Sequence, residues 1–468
     1  MKDFLPGLRI RYFRYCAKRH AIKTIYIMKN TLIYSLIIFL FFTCGCVNTD
    51  HSVYTLIRGG TLINTSDNGT SQVDLKDSYI LIKDSVIVDC GSMSDNPSLP
   101  VDYQLMDAKE KYIVPGLIDG FGTINNQSYA DAYLECGVTS VVGVESLRRG
   151  VLFLDGDPSP DILVLGDVGD IKQSDEEVIN EFKEAAAKGF RLMLLMYKLT
   201  PSQVALSVDL AGKYGIATIG ELGYTSYREA ADLGVQSFVH ITRYSLDMSP
   251  EELRYSVAEE PFSDDMDSPK WEYYRFLSSV DTTESIFKDH SAYLAAYPCY
   301  LIPTLSLLYL DLPDHNNPWN DPVARLINPD DVNNPAGIET GNHDYDPVCQ
   351  EAYKLLAIKE MEIAHGYIKA GAKHLAGSAA DVWGTLPGVS LHTELELLEK
   401  AGLDCRQVIA AATSNFSQAY GWNRGVIEKG ARADILILNS NPVVSIKNLR
   451  DIDRIILNGE LLEINRNK

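Results

Sequence analysis

Between His51 and His240 the sequence contains no histidine. A zinc-type centre that draws nitrogen ligands from the first half of the chain is therefore excluded, because imidazole is the usual nitrogen donor to such ions. Cysteine is also sparse. Beyond residue 46 only Cys90, Cys136, Cys299, Cys349 and Cys405 remain, with no C-x-x-C and no short paired spacing. An odd, scattered set excludes a disulfide framework and a zinc knuckle. These side chains are expected to serve as small buried hydrophobes. No G-x-S-x-G, no P-loop and no G-x-G-x-x-G occurs, so a nucleophile elbow, a phosphate cradle and a dinucleotide fingerprint are absent. No Ser/His/Asp or Cys/His triad can be assembled from the sequence.

Positive charge is scarce as well. The 468 residues carry 42 basic and 63 acidic side chains, a formal net of −21. The first 45 residues hold eight Lys/Arg against Asp3 alone, which leaves 34 basic and 62 acidic residues in the remainder, a net of −28. Such a surface repels nucleic acid and anionic lipid headgroups. The acids are spread along the chain, which is the pattern of a solvated face.

Long apolar runs are missing too. Leu32 to Phe42 is too short for an ordinary membrane span. It follows a cationic stretch and precedes Thr43-Cys44-Gly45-Cys46. That order resembles a bacterial lipoprotein signal over residues 1–45, with Cys46 as the lipidated residue and Cys44 as the fallback. Met28 offers a second plausible start. A plain signal peptide or an uncleaved anchor is the alternative. Either places the mature chain in the cell envelope outside the cytoplasmic membrane, held to it through the lipid where Cys46 is acylated.

What is present is an ordered alternation of elements. Residues 52–110 read as short strands. Tyr54 to Ile63 is one hairpin candidate turning at Gly59-Gly60, and Ser78 to Asp89 is another turning at Lys83-Asp84-Ser85. The C-terminal part, 426–468, returns to the same pattern at Asp434–Leu438 and at Ile452–Leu457 before Asn458-Gly459. Both chain ends are thus expected to build one small β-sandwich domain. Between them, 111–425 alternates strand and helix. Apolar runs fall at Val138–Val144, Ile162–Leu165, Arg191–Met196, Ile216–Ile219, Ser237–Ile241 and Tyr300–Leu305. The helices between carry explicit punctuation. Ser174 with Glu177 forms a capping box and Gly189 stops that helix. Thr200 precedes Pro201 at the first helical position, and Gly215 closes the far end. Thr225 starts a short helix that ends at Gly234. Repeated strand–helix units of this length favour an α/β fold with a closed (β/α)8 barrel, although pattern alone does not separate it from a doubly wound sheet. The spans 245–285 and 311–347 break the rhythm and are expected as long loops, either facing substrate or forming a capping insertion.

Five blocks carry a family resemblance: Asp107 to Asp119, ending Pro-Gly-Leu-Ile-Asp; Gly137 to Val141; Leu375-Ala-Gly-Ser378 with Pro387 to Leu395; Ala410 to Asn415; and Gly425 to Asp434. Over about residues 53–462 the chain resembles the amidohydrolase superfamily, specifically its imidazolonepropionase-like branch. The resemblance implies hydrolysis of non-peptide C–N bonds by one or two metals at the barrel mouth. It implies ligands from His-x-His on strand one, a carboxylated Lys on strand four, a His on each of strands five and six, and an Asp on strand eight. The metal would supply an activated water.

Five of those six positions are substituted. Phe121 and Thr123 stand for His-x-His, Leu194 for the lysine, Glu221 for the strand-five histidine and Ala379 for the aspartate; only His240 matches. Lys198 is four residues past its place, roughly 13 Å too far at about 3.3 Å per residue. Asp381 is two residues past, on the same strand face but about 6–7 Å outward. The favoured expectation is a catalytically degenerate barrel whose mouth binds a small molecule or a partner protein, with no resident cofactor. One alternative is an active hydrolase with a single divalent metal such as Zn held by Glu221, His240 and Asp381, with Asp381 as the catalytic acid/base. In the blander form of those residues, His240 is a hydrogen-bonded barrel residue, Glu221 pairs with a cation and Asp381 caps a loop. Another alternative is a structural cell-surface component whose pocket is filled by Phe121 and its neighbours. His343 to Asp346 is a weaker chelating loop. His374, His392 and Glu394 are expected to be structural.

Overall fold

The computed structural model describes residues 54–145 and 150–463. The N-terminal segment with Cys46, and with it the expected lipid anchor, lies outside those residues.

Eight strands form one sheet of parallel neighbours: β1 (Leu117–Gly122), β2 (Val138–Val144), β3 (Asp161–Val168), β4 (Leu192–Tyr197), β5 (Ala217–Leu222), β6 (Ser237–Val239), β7 (Tyr300–Ile302) and β8 (Lys373–His374). Each pairs with the next in chain order. The order follows from right-handed crossovers, which set each new strand beside the last. The sheet also returns on itself. The Gly120 amide donates to the Ala376 carbonyl at 2.9 Å, and the Ala379 amide donates to the Phe121 carbonyl at 2.7 Å. These bonds join the segment after β8 to β1, as the (β/α)8 expectation requires.

Period-two alternation decides what faces inward. Leu163 and Leu165, Leu192 and Leu194, and Ala217 and Ile219 are pairs two residues apart on neighbouring strands. All belong to one buried cluster with Ile118, Val142, Val239, Tyr300, Ile302 and Leu375. The opposite strand faces meet the helices in a larger cluster that includes Val141, Met193, Leu195, Leu222 and Leu301. Strand eight is shorter than its apolar run suggests, because beyond His374 the chain leaves the regular ladder.

The capping box of Ser174 with Glu177 forms as read, and Thr200 caps its helix as read, with Gln203 completing a second box. Gly189 and Gly215 close those helices at φ +78° and +67°. The next helix starts one residue later than expected. Ser226 is its cap and accepts from the Glu229 amide at 3.1 Å, whereas the Thr225 hydroxyl donates to the Leu199 carbonyl.

Both chain ends do build small sheets. Tyr54–Arg58, Ser78–Lys83, Val86–Ser92 and Tyr103–Asp107 make one of them. Thr61–Leu62, Tyr112–Pro115, Ile435–Leu438, Ile452–Leu457 and Glu460–Leu462 make the other. Their facing sides share a core of Ile57, Ile80, Ile82, Ile113, Ile435, Ile437 and Ile456. The expected hairpin at Gly59-Gly60 is not formed. Tyr54–Arg58 pairs with Ser78–Lys83 and Tyr103–Asp107, while Thr61–Leu62 pairs with Tyr112–Pro115 in the other sheet. The two glycines switch the chain between sheets. The hairpin at Lys83-Asp84-Ser85 is formed.

The 245–285 span is also corrected. It holds helices at Glu251–Glu259 and Pro269–Ser278. Ser268 caps the second, Pro269 sits at its first turn, and Trp271, Tyr273 and Leu277 give it a buried face. The 311–347 span is irregular, with short turns opened by Asn317, Asp321 and Asn328, each followed by Pro.

Gly459 ties the two chain ends together. Its φ is +86°, and an added Cβ would stand 1.8 Å from the Asp84 carbonyl oxygen in the N-terminal hairpin. Gly430 has a similar φ of +93° with open space around it. Gly459→Ala is therefore expected to cost about 2–3 kcal/mol in a denaturant titration, and Gly430→Ala about 1–2 kcal/mol from backbone strain alone. Equal costs would show that the contact with Asp84 is unimportant.

Candidate active site at the barrel mouth

Barrel enzymes place their chemistry at the C-terminal ends of the strands. At that end of this barrel, Phe121 is 3% exposed, Leu194 5% and Ala379 0%, and all three belong to the same apolar cluster as the interior leucines and isoleucines. Three of the substituted positions are thus one packed hydrophobic layer. A divalent ion there would meet carbon on three sides, and burying a charge without ligands costs far more than such packing returns. Thr123 is buried and donates to the Asn125 side chain at 2.9 Å.

Glu221 continues the inward row of Ala217 and Ile219. It is 5% exposed. Its carboxylate accepts a short hydrogen bond from the Tyr197 hydroxyl and pairs with Arg243 Nε at 3.3 Å. The Arg243 guanidinium lies 5.3 Å from the centre of the Tyr197 ring and donates to the Pro261 carbonyl at 3.0 Å. Burial drives the Tyr197 hydroxyl well above its ordinary range and keeps it a donor to Glu221.

His240 follows β6. Its Nδ1 is 2.8 Å from the Thr304 hydroxyl, and its ring stands edge-on to Phe121 with centroids 5.1 Å apart. Asp381 is fully buried. It accepts from the Tyr129 hydroxyl at 2.7 Å and from the Asn333 side chain at 3.1 Å, and its carbonyl accepts from the Asn333 amide. Burial, then the Asp381 charge, raises the Tyr129 hydroxyl far above its usual range. Glu221, His240 and Asp381 are therefore each engaged by a different set of neighbours. Among the described residues, no three His, Cys, Asp or Glu side chains converge on a point where an ion could sit. Lys198 pairs with Glu259 at 3.6 Å.

His343, His374 and His392 serve packing. His343 stacks on Tyr345 at 4.8 Å, while Asp346 caps the helix Pro347–Ala370. Burial holds His343 and His374 down to about 4 and His392 to about 3. His392 Nε2 lies 2.8 Å from the Cys136 carbonyl.

One polar network went unnoticed in the sequence. Asp119 accepts from the Ser378 amide at 2.8 Å, from the Phe121 amide at 3.2 Å and from the Ser378 hydroxyl. The Ser306 hydroxyl donates to the Ser378 carbonyl, and the Ser306 amide donates to Glu394, both at 2.8 Å. Burial above all raises Glu394 to about 8. The network ties the ends of β1, β7 and β8 together and fixes Phe121 in the mouth. The signal available was Asp119, Ser378 and Glu394 standing within the quoted scaffold blocks. Four non-glycine residues around this rim, His240, Thr304, Ala379 and Trp383, have φ between +49° and +64°. Such backbone costs of order 1–3 kcal/mol per residue and persists only where its surroundings enforce it.

Comparison with known proteins follows this geometry. The amidohydrolase family model matches residues 351–462. Bottromycin amidohydrolase superposes with a TM-score of 0.61 at 17% identity, covering 88% of this chain and 87% of that one. A Bifidobacterium longum protein described as a prolidase gives 0.58 at 19% identity, covering 88% and 95%. An Xaa-Pro dipeptidase solved with methionine in its active site gives 0.57 at 15% identity, covering 88% and 100%. The fold is that of the amidohydrolases. No curated protein sequence matches the chain. Within the amidohydrolase fold these neighbours single out no branch, so the imidazolonepropionase-like assignment stays an expectation.

Two outcomes test the site. Arg243→Met strands the buried Glu221 carboxylate and should cost about 3–5 kcal/mol in urea unfolding. Adding Glu221→Gln should recover at least half of that loss, and no recovery would mean the pair is not coupled. Glu394 keeps its proton in the folded chain up to about pH 8 but loses it near 4.5 when unfolded. Its stabilising effect is therefore present below 4.5 and is lost as pH rises to 8. The buried histidines act oppositely, and only below about 6.5. Between pH 6.5 and 8 stability should fall, and Glu394→Gln should flatten that slope. An unchanged slope would remove Glu394 as its source.

Proposed function

We propose that this chain is an amidohydrolase-fold binding protein that does not carry out metal-assisted hydrolysis. The observation that supports the reading is the apolar layer of Phe121, Leu194 and Ala379 at positions where the family resemblance implies histidine, lysine and aspartate. Activating a water at neutral pH needs an ion that lowers the pKa of that water, and the ion needs a cage of deprotonated donors. The donors left here are spent on protein partners: Glu221 on Arg243 and Tyr197, Asp381 on Tyr129 and Asn333, His240 on Thr304. A remodelled single-metal hydrolase draws no support from this arrangement, since recruiting Glu221 would leave Arg243 buried without its carboxylate. The barrel is then a scaffold, and recognition falls to the cavities beside its mouth.

The direct test measures the metal content of the purified protein, with hydrolysis assays on amides, lactams and dipeptides in the presence and absence of a chelator. The expected result is substoichiometric metal and no chelator-sensitive turnover. One metal per chain, with turnover that a chelator abolishes, would overturn the reading.

A further inference from the structure

Two cavities open at the C-terminal ends of β6 and β7, beside the packed mouth. The inner one is small, about 50 Å³, and is lined by Thr242, Tyr274, Thr304, Tyr353, Glu360 and Trp383 among others. A water needs roughly 10–15 Å³ on this measure, so the cavity holds a group of about three or four heavy atoms. The outer one is a cleft of about 700 Å³ that shares Tyr353 and Trp383 with it. The two are therefore adjacent, with those rings between them.

Glu360 is the anomaly in the inner cavity. It projects from the middle of the helix Pro347–Ala370 and is 4% exposed. Among the described residues its carboxyl accepts no hydrogen bond and forms no ion pair. Burial above all, with the Glu394 and Asp311 carboxyls beside it, raises Glu360 well above the usual carboxylate range, so that it keeps its proton. Lys270, a basic residue of this region, pairs with Asp264 at 3.6 Å and lies against the Trp271 and Tyr274 rings. A buried carboxyl is normally paired or hydrogen-bonded, and one left bare holds its proton rather than its charge. This one lines the cavity, whose wall joins the Tyr274, Tyr353 and Trp383 rings to Ile241, Pro303, Leu307 and Leu308. Tyr353 makes edge-to-face contact with Trp271 at 4.8 Å and stacks on Tyr345 at 5.1 Å. The Trp383 side chain lies close to the Tyr345 hydroxyl. The rings are thus fixed before any ligand arrives. An ammonium group set beside this unpartnered carboxyl would favour its ionised form, and the neighbouring rings add a surface that a compact organic cation can contact.

We propose that the inner cavity binds the ammonium head of a primary alkylamine, with Glu360 as its counter-ion and with the alkyl tail passing Tyr353 and Trp383 into the outer cleft. The inference rests on the binding-protein reading above and names its ligand class. The head fits the cavity volume, whereas a sugar or aromatic ring does not. An anion would find no basic side chain among the residues that line the inner cavity. A neutral alcohol would fill the same space without answering the carboxylate.

The test titrates the full-length chain with n-butylammonium and, separately, with n-butanol, followed by calorimetry. Saturable, one-to-one binding of the amine is expected, at least tenfold stronger than that of the alcohol. Glu360→Gln keeps the shape and removes the charge. It should weaken the amine at least tenfold, while its thermal midpoint stays at or above that of the parent. Tyr353→Leu, which removes a ring and keeps the carboxylate, should weaken the amine several-fold. Absence of amine binding by the parent, equal affinity for butanol, or equal amine affinity in Glu360→Gln would each overturn the proposal. None of these outcomes bears on metal content or chelator-sensitive turnover, so the two readings fail separately.

Discussion

The inward row of side chains at the top of the barrel governs the rest of the molecule. In a parallel barrel, residues two apart on each strand point into the same space, and whatever they carry sets the polarity of the mouth. Here that row continues the hydrophobic interior upward through Leu194, Ala379 and Phe121. Burial of these groups stabilises the barrel, at about 25 cal/mol per Å² of apolar surface removed from water. The same packing puts carbon at three of the positions where the family resemblance implies metal ligands.

The polar groups that remain at this end are organised around that plug. Asp119 holds the Ser378 and Phe121 amides, so the backbone of β1 and of the segment after β8 is fixed beneath the phenylalanine ring. Glu221 has turned to Arg243 and Tyr197, and Asp381 to Tyr129 and Asn333. Each carboxylate is satisfied by the protein itself. Glu360 differs from them, because its neighbours are rings and other acids. The open space at this end lies in the gap between the ends of β6 and β7 and the helix Pro347–Ala370.

Much of the fold was legible because local chemistry and global architecture agree. The helix caps at Ser174 and Thr200, the stopping glycines Gly189 and Gly215, and the apolar runs of β2 to β7 each name their element without reference to anything distant. The substituted positions were legible for the same reason, since Phe121 and Leu194 sit at fixed offsets from motifs that place the strands. Errors arose where long-range pairing overrode local signals. Gly59-Gly60 reads as a hairpin turn, yet the partner strands of Tyr54–Arg58 come from residues 78–83 and 103–107. The 245–285 span reads as a loop from its acids and prolines, yet Pro269 is a helix start and Trp271 and Tyr273 are its buried face. The partners of Glu221 and the isolation of Glu360 were not legible at all. Arg243 lies 22 positions from the first, and the three rings around the second come from three different segments.

Zinc titration of the metal-stripped protein, read by a competing chromophoric chelator, tests the central claim most directly. The account predicts no site that competes with a micromolar chelator, and no difference between the parent and Glu221→Gln or His240→Ala. One or two tight zinc sites lost in those variants would contradict it.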